Sequence, residues 1–160
     1  MKKHMKILLG VLIIVLVLWI GAIFYLSSQN GEQTFNLSYG LSSKIINIFF
    51  KEITQTETLK IHEYLRKIAH ISLFATLGIL SSLAFNIMFA TQKKWKNFIS
   101  FFASMFFVSG IALFDEWRKQ FIDGRHFDML DVKLNLISGF IGIVLVFIAI
   151  KTVSMFKKRY

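Results

Sequence analysis

Residues 113–135 read LFDEWRKQFIDGRHFDMLDVKLN, and they separate two strongly apolar parts of the chain. Between Asp115 and Lys133 this stretch holds five acids and four bases, whereas residues 98–114 before it and residues 134–150 after it hold none. A short charged segment between two long uncharged runs is typical of the connection between two membrane-spanning helices. The stretch therefore predicts a helical hairpin in a membrane.

Four runs without Asp, Glu, Lys or Arg are long enough to cross a bilayer: residues 7–26, 68–90, 98–114 and 134–150. A hydrocarbon core of ~30 Å needs roughly 17 to 25 residues of helix. The composition agrees, because 55% of the 160 residues are hydrophobic and only 18% are charged, which is few for a soluble domain. We predict an all-α fold, a single membrane domain over residues 1–160 with four transmembrane helices. The first run is too long for a typical cleaved signal peptide, so we expect it to be retained.

The net charge of +10 lies in three segments: the first six residues, residues 91–97 and the tail from Lys151. In the other two connections, acids and bases nearly cancel. The positive-inside rule then predicts cytoplasmic N- and C-termini, with residues 27–67 and the charged stretch outside. Nucleic-acid binding also produces a high pI, but it needs a basic face on a soluble surface. We therefore expect membrane lipids and no nucleic acid as partners.

The first outer connection contains two helix signals. Apolar residues recur at helical spacing in SYGLSSKIINIFFKE, residues 38–52, which predicts a short helix lying in the membrane interface. The sequence TQTE, Thr54 to Glu57, fits a capping box. Because no proline or glycine follows before Gly78, we expect one helix to run from about Thr56 through the second span.

Polar side chains gather at the predicted outer helix ends, and none that titrates lies in the middle of a run. Arg125 lies in the connection, at a turn predicted by the sequence DGR, and its planar guanidinium suits a carboxylate or a phosphate. The predicted ligand-binding residues open the second helix, close the third, occupy the turn and open the fourth: Lys67, His70, Asp115, Glu116, Arg125, Asp131 and Asn135.

These residues allow two kinds of site. His70, Glu116 and Asp131 are candidate acid–base catalysts or metal ligands, because an imidazole and two carboxylates can converge on one reactive atom or ion. The alternative, which we favour, is a network of salt bridges between helices. The sequence holds no cysteine, no Gly-x-Ser-x-Gly and no His-Glu-x-x-His, so no catalytic motif supports the first reading. We predict no metal and no cofactor.

Three smaller expectations concern contacts between and along helices. Asp115 and Lys119 are four residues apart and are predicted to form an ion pair. Asn135 is predicted to hydrogen-bond across helices. Gly139 and Gly142 are predicted to be points of close helix packing.

Three stretches resemble the VanZ-like membrane proteins: IFYLSSQ (23–29), KIAHISLFATLG (67–78) and DEWRKQFIDGRHFDMLDVKLN (115–135). The third is the most specific, with Asp-Glu, then Phe-x-x-Gly-Arg, then Asp-x-x-x-Asn. The chain departs from the family pattern at Lys119 in place of Gln, at Asp123 in place of Pro and at Ser138 in place of Gly.

The resemblance implies a multi-pass protein of the bacterial plasma membrane with a polar cluster on its outer face. Some members of the family lower sensitivity to lipophilic glycopeptides such as teicoplanin. We expect a binding or shielding protein for an envelope lipid, a lipid-linked precursor or such an antibiotic. The alternative is a membrane hydrolase or transferase that uses His70 with Glu116 or Asp131. The oligomeric state stays open.

Overall fold

All regular secondary structure in the described residues is α-helix. The computed structural model describes residues 3–28, 55–92, 95–123 and 125–159, and for residues 55–63, 66 and 157–159 it describes the backbone alone. The helices are α1 (Lys3–Ser27), α2 (Gln55–Met88), α3 (Lys96–Lys119) and α4 (Met129–Arg159). Each includes a segment long and apolar enough to cross a membrane: Lys3–Ser27, Lys67–Met88, Lys96–Lys119 and Met129–Phe156. The all-α class is confirmed, and so is the prediction of four helices long and apolar enough to cross a membrane.

Helix α2 is the centre of the bundle. It contacts the three other helices, most extensively α4, while α1 packs on α2 and α3. The core contains Ile23, Phe74, Leu77, Val108 and Ile143, all buried. Because lipid tails are as apolar as these side chains, close packing rather than the hydrophobic effect stabilises their contacts in a membrane.

Glycines allow α2 and α4 to approach backbone to backbone. A Cβ atom on Gly78 would overlap the carbonyl oxygen of Gly139, and one on Gly142 would overlap that of Ala75. Small residues at such crossings let membrane helices pack closely. The prediction that Gly139 and Gly142 are close-packing points is confirmed.

Two helices extend from the predicted apolar runs into the charged stretch. Helix α3 continues past residue 114 to Lys119, and α4 begins at Met129 rather than near residue 134. The charges of Asp115, Glu116 and Lys119 are compatible with continued helix in α3, because these three residues are buried within the protein instead of facing lipid. The connection between α3 and α4 is therefore only residues 120–128.

Helix α2 begins at Gln55 and runs unbroken through the second span, as predicted. The predicted interfacial helix, Thr54 of the capping box and Gly124 of the turn lie outside the described residues.

Exposed tryptophans lie at both ends of the bundle. We call the end where α1 and α3 finish, and where the second and fourth spans begin, the hairpin end. We call the opposite end, where α3 begins at Lys96, the lysine end. Trp117 lies near the hairpin end and Trp95 at the lysine end, and both are exposed. Twenty-two residues of helix span about 33 Å, close to the ~30 Å hydrocarbon core. The two tryptophans thus match the aromatic belts found at membrane interfaces.

Candidate functional site

Asp115 joins α3 to the end of α1. Its carboxylate is fully buried, and its Oδ2 accepts a hydrogen bond of 2.9 Å from the Ser27 hydroxyl. Its Oδ1 lies 3.6 Å from the Arg118 guanidinium and accepts no hydrogen bond within the described residues. The motif IFYLSSQ therefore meets the charged stretch in space, although 88 residues separate Ser27 from Asp115.

Arg118 strengthens the same contact. Its Nη2 donates a hydrogen bond of 2.6 Å to the carbonyl oxygen of Phe24, near the end of α1. Its guanidinium carbon lies 5.0 Å from the centre of the Phe24 ring, within the range of a cation–π interaction. Arg118 therefore holds both the backbone and an aromatic side chain of α1.

Lys119 lies between two carboxylates and joins α3 to α4. Its ammonium is 2.6 Å from Glu116 Oε2 and 3.6 Å from Asp131 Oδ2. Only 2% of the Lys119 side chain and 1% of the Glu116 side chain are exposed, so neither charge is well hydrated. The predicted Asp115–Lys119 pair is wrong: each base pairs with the acid three residues before it, Arg118 with Asp115 and Lys119 with Glu116.

Glu116 also fixes the connection that carries Arg125. The backbone N–H of Asp128 donates a hydrogen bond of 3.0 Å to Glu116 Oε1. Asp128 in turn accepts a bond of 2.8 Å from the backbone of Leu130 at the start of α4, as N-terminal capping residues do. The N–H of Arg125 donates to the Ile122 carbonyl at 3.1 Å. Both ends of this short connection are therefore anchored.

Asn135 is buried with its amide unsatisfied. The residue is fully inaccessible, yet neither Oδ1 nor Nδ2 has a hydrogen-bond partner among the described residues. The predicted hydrogen bond across helices is therefore not found. A buried amide without partners costs roughly 1 to 3 kcal/mol, so Asn135 lowers the free energy of unfolding.

Lys67, His70 and Arg125 are half-buried at the hairpin end. Lys67 and His70 share one face of α2, near the point where the second span begins. Among the described residues no three His, Asp or Glu side chains form a group that could hold a metal ion. His70, Glu116 and Asp131 thus do not form such a group with one another.

Sequence reasoning missed three residues of this end, Ser27, Arg118 and Asp128, and it gave Lys119 the wrong partner. Ser27 lies in IFYLSSQ, one of the stretches that resemble the VanZ-like proteins, and this resemblance is the one signal that pointed to it. Lys119 is a position where the chain departs from the VanZ-like pattern, and it proves to be the central cation of the buried network.

Four packed spans with a buried charged network at one end define a multi-pass helical membrane protein. The model of the VanZ/LLP1 family matches residues 12–150, which include all of the charged stretch. The chain therefore belongs to the VanZ family. Searches of curated proteins and of solved structures gave no match.

Proposed function

We propose that this protein binds the anionic head of an amphiphilic molecule at the outer leaflet of the bacterial plasma membrane. One observation carries the proposal. At the hairpin end the buried carboxylates of Asp115 and Glu116 are engaged by hydroxyl, amide and cationic groups of the chain, while Lys67, His70 and Arg125 lie half-buried there. Half-buried basic side chains at the same end as acids that bond within the chain support an anionic ligand, because arginine and lysine form charge-assisted hydrogen bonds with carboxylate and phosphate groups.

The outer location follows from charge. The segments at the lysine end carry the entire net charge of +10, and lysine-rich connections are retained in the cytoplasm. The hairpin end then faces outward, where it can meet only molecules that reach the outer leaflet.

The geometry supports binding rather than hydrolysis. Glu116 already accepts bonds from Lys119 and from the Asp128 backbone, which leaves it little capacity to act as a general base. Its role is to hold the connection that presents Arg125. A Glu116→Gln variant with normal abundance and complete loss of function would instead favour the hydrolase or transferase.

The ligand classes are an envelope lipid, a lipid-linked precursor or an acylated antibiotic. Each combines an anionic group with a hydrocarbon tail, and each buried methylene of that tail contributes about 0.8 kcal/mol to membrane partitioning. Membership of the VanZ family supports the antibiotic, since reduced sensitivity to teicoplanin is known for some members. The tail concentrates such molecules where Arg125 can contact their heads.

Susceptibility of a Gram-positive host tests the proposal. Expression should lower susceptibility to an acylated glycopeptide more than to its deacylated core, and Arg125→Ala or His70→Ala should abolish that difference at unchanged protein level. Lys133→Ala is the matched control, because Lys133 is exposed in the first turns of α4. Equal shifts for both antibiotics, or none with verified expression, would remove the resistance role.

A further inference from the structure

We propose a second lipid site at the lysine end, where a groove between α3 and α4 binds an anionic diacyl phospholipid of the bilayer. Lys96 and Lys151 would contact its phosphate, and the apolar walls would hold part of an acyl chain. This site is independent of the proposed outer site, because it lies at the opposite end of the bundle.

The groove has the size and the walls of a lipid site. Its volume is about 810 Å³, within the range of roughly 300 to 1,000 Å³ typical of ligand clefts. Apolar side chains from both helices line it, among them Phe101, Val144, Phe147 and Ile148. Phe101 and Phe147 contact edge to face, with ring centroids 5.3 Å apart. An apolar groove between spans is filled by hydrocarbon, because water gains no hydrogen bonds there.

The polar lining residues select the charge of the occupant. They are two lysines, Lys96 and Lys151, and two neutral side chains, Asn97 and Ser154, and no lining residue is acidic. Lysine ammonium groups bind phosphate, and basic pockets between spans on the cytoplasmic side are suited to anionic head groups. Because of this charge complementarity, the groove should bind an anionic phospholipid in preference to a neutral or zwitterionic one.

The depth of the lysines fits a head group. Lys151 follows Asp131 by twenty residues of continuous helix, which is about 30 Å along α4. The hydrocarbon core has the same thickness, ~30 Å. With Asp131 at one interface, Lys151 lies at the phosphate level of the other, while Val144 and Phe147 lie within the tail region.

Native mass spectrometry of the full chain in detergent tests the site, with phosphatidylglycerol and phosphatidylcholine of identical acyl chains as probes. The wild type should bind phosphatidylglycerol more tightly. The double variant Lys96→Gln/Lys151→Gln should weaken that binding about 25-fold, since each lysine near an anionic head contributes a factor of about five. Lys133→Gln, which removes one charge at the hairpin end, should leave it unchanged.

A second variant tests the groove without changing charge. Ser154→Phe places a ring among the lining residues and should weaken binding of both lipids. Equal affinity of the wild type for the two lipids would overturn the proposal, as would equal effects of Lys133→Gln and the double variant. If the double variant does not fold, undiminished phosphatidylglycerol binding by Ser154→Phe overturns it.

Discussion

Replacing Lys119 with methionine should destabilise the protein strongly, because it removes the only cation that the described contacts place between Glu116 and Asp131. Methionine keeps most of the aliphatic stem, so the change isolates the charge. Exposed ion pairs contribute about 0 to 1 kcal/mol, whereas breaking a buried pair costs roughly 3 to 5 kcal/mol. Exposure decides between these ranges, and with 2% of Lys119 and 1% of Glu116 exposed, the larger range applies.

The assay is unfolding by sodium dodecyl sulfate in dodecylmaltoside micelles, followed by fluorescence of the three tryptophans. The free energy of unfolding should fall by about 3 to 5 kcal/mol in Lys119→Met. The matched control is Lys133→Met, the same substitution at an exposed site, which should change it by less than about 0.5 kcal/mol.

The triple variant Glu116→Gln/Lys119→Met/Asp131→Asn sharpens the test. With all three charges removed no buried ion lacks a partner, and such neutral replacements are often tolerated. We expect the triple variant to recover most of the lost stability. Equal effects of Lys119→Met and Lys133→Met, or additive losses in the triple variant, would refute a buried network.

Three further predictions concern packing, burial and topology. Gly142→Leu should lower the thermal midpoint sharply, since its Cβ would overlap the α2 backbone, whereas Gly110→Leu, with no atom within 4 Å of its Cβ, should not; similar midpoints would argue against the close crossing. Asn135→Leu should raise the free energy of unfolding by about 1 kcal/mol, because it removes an unsatisfied buried amide, and a clear decrease would reveal a partner. A cysteine replacing His126 should react with a membrane-impermeant thiol reagent in intact cells and one replacing Gln92 should not; the reverse pattern would place the hairpin end in the cytoplasm.

The spans could be predicted from sequence because membrane crossing depends on one-dimensional quantities, namely the length and hydropathy of a run. The continuity of α2 was predictable for a similar reason, since no proline or glycine interrupts residues 55–77. The end of α3 and the start of α4 could not be predicted, because the apolar runs were defined by the absence of charged residues. Glu116 and Lys119 satisfy each other inside the bundle, so their charges are compatible with continued helix.

The partners at the hairpin end could not be predicted, because they depend on which helices are neighbours. Spacings of three and four residues both bring helical side chains together, so local sequence does not choose between Asp115 and Glu116 as the partner of Lys119. The contact with α4 decides which acid pairs with Lys119, because the Lys119 ammonium lies 3.6 Å from Asp131 on α4. Asp115 instead meets Ser27 on α1, a pairing that no local pattern encodes.

Direct binding in nanodiscs tests the central claim, that the hairpin end binds the anionic head of an amphiphile. The probes are teicoplanin and its deacylated core, applied to the wild type, to Arg125→Gln and to the Lys133→Gln control. We predict that the wild type and the control bind teicoplanin more tightly than the core. Arg125→Gln should lose at least about tenfold in affinity, as expected for a charged hydrogen-bonding contact of about 1.5 to 3 kcal/mol. Equal binding of teicoplanin by the wild type and Arg125→Gln would contradict it.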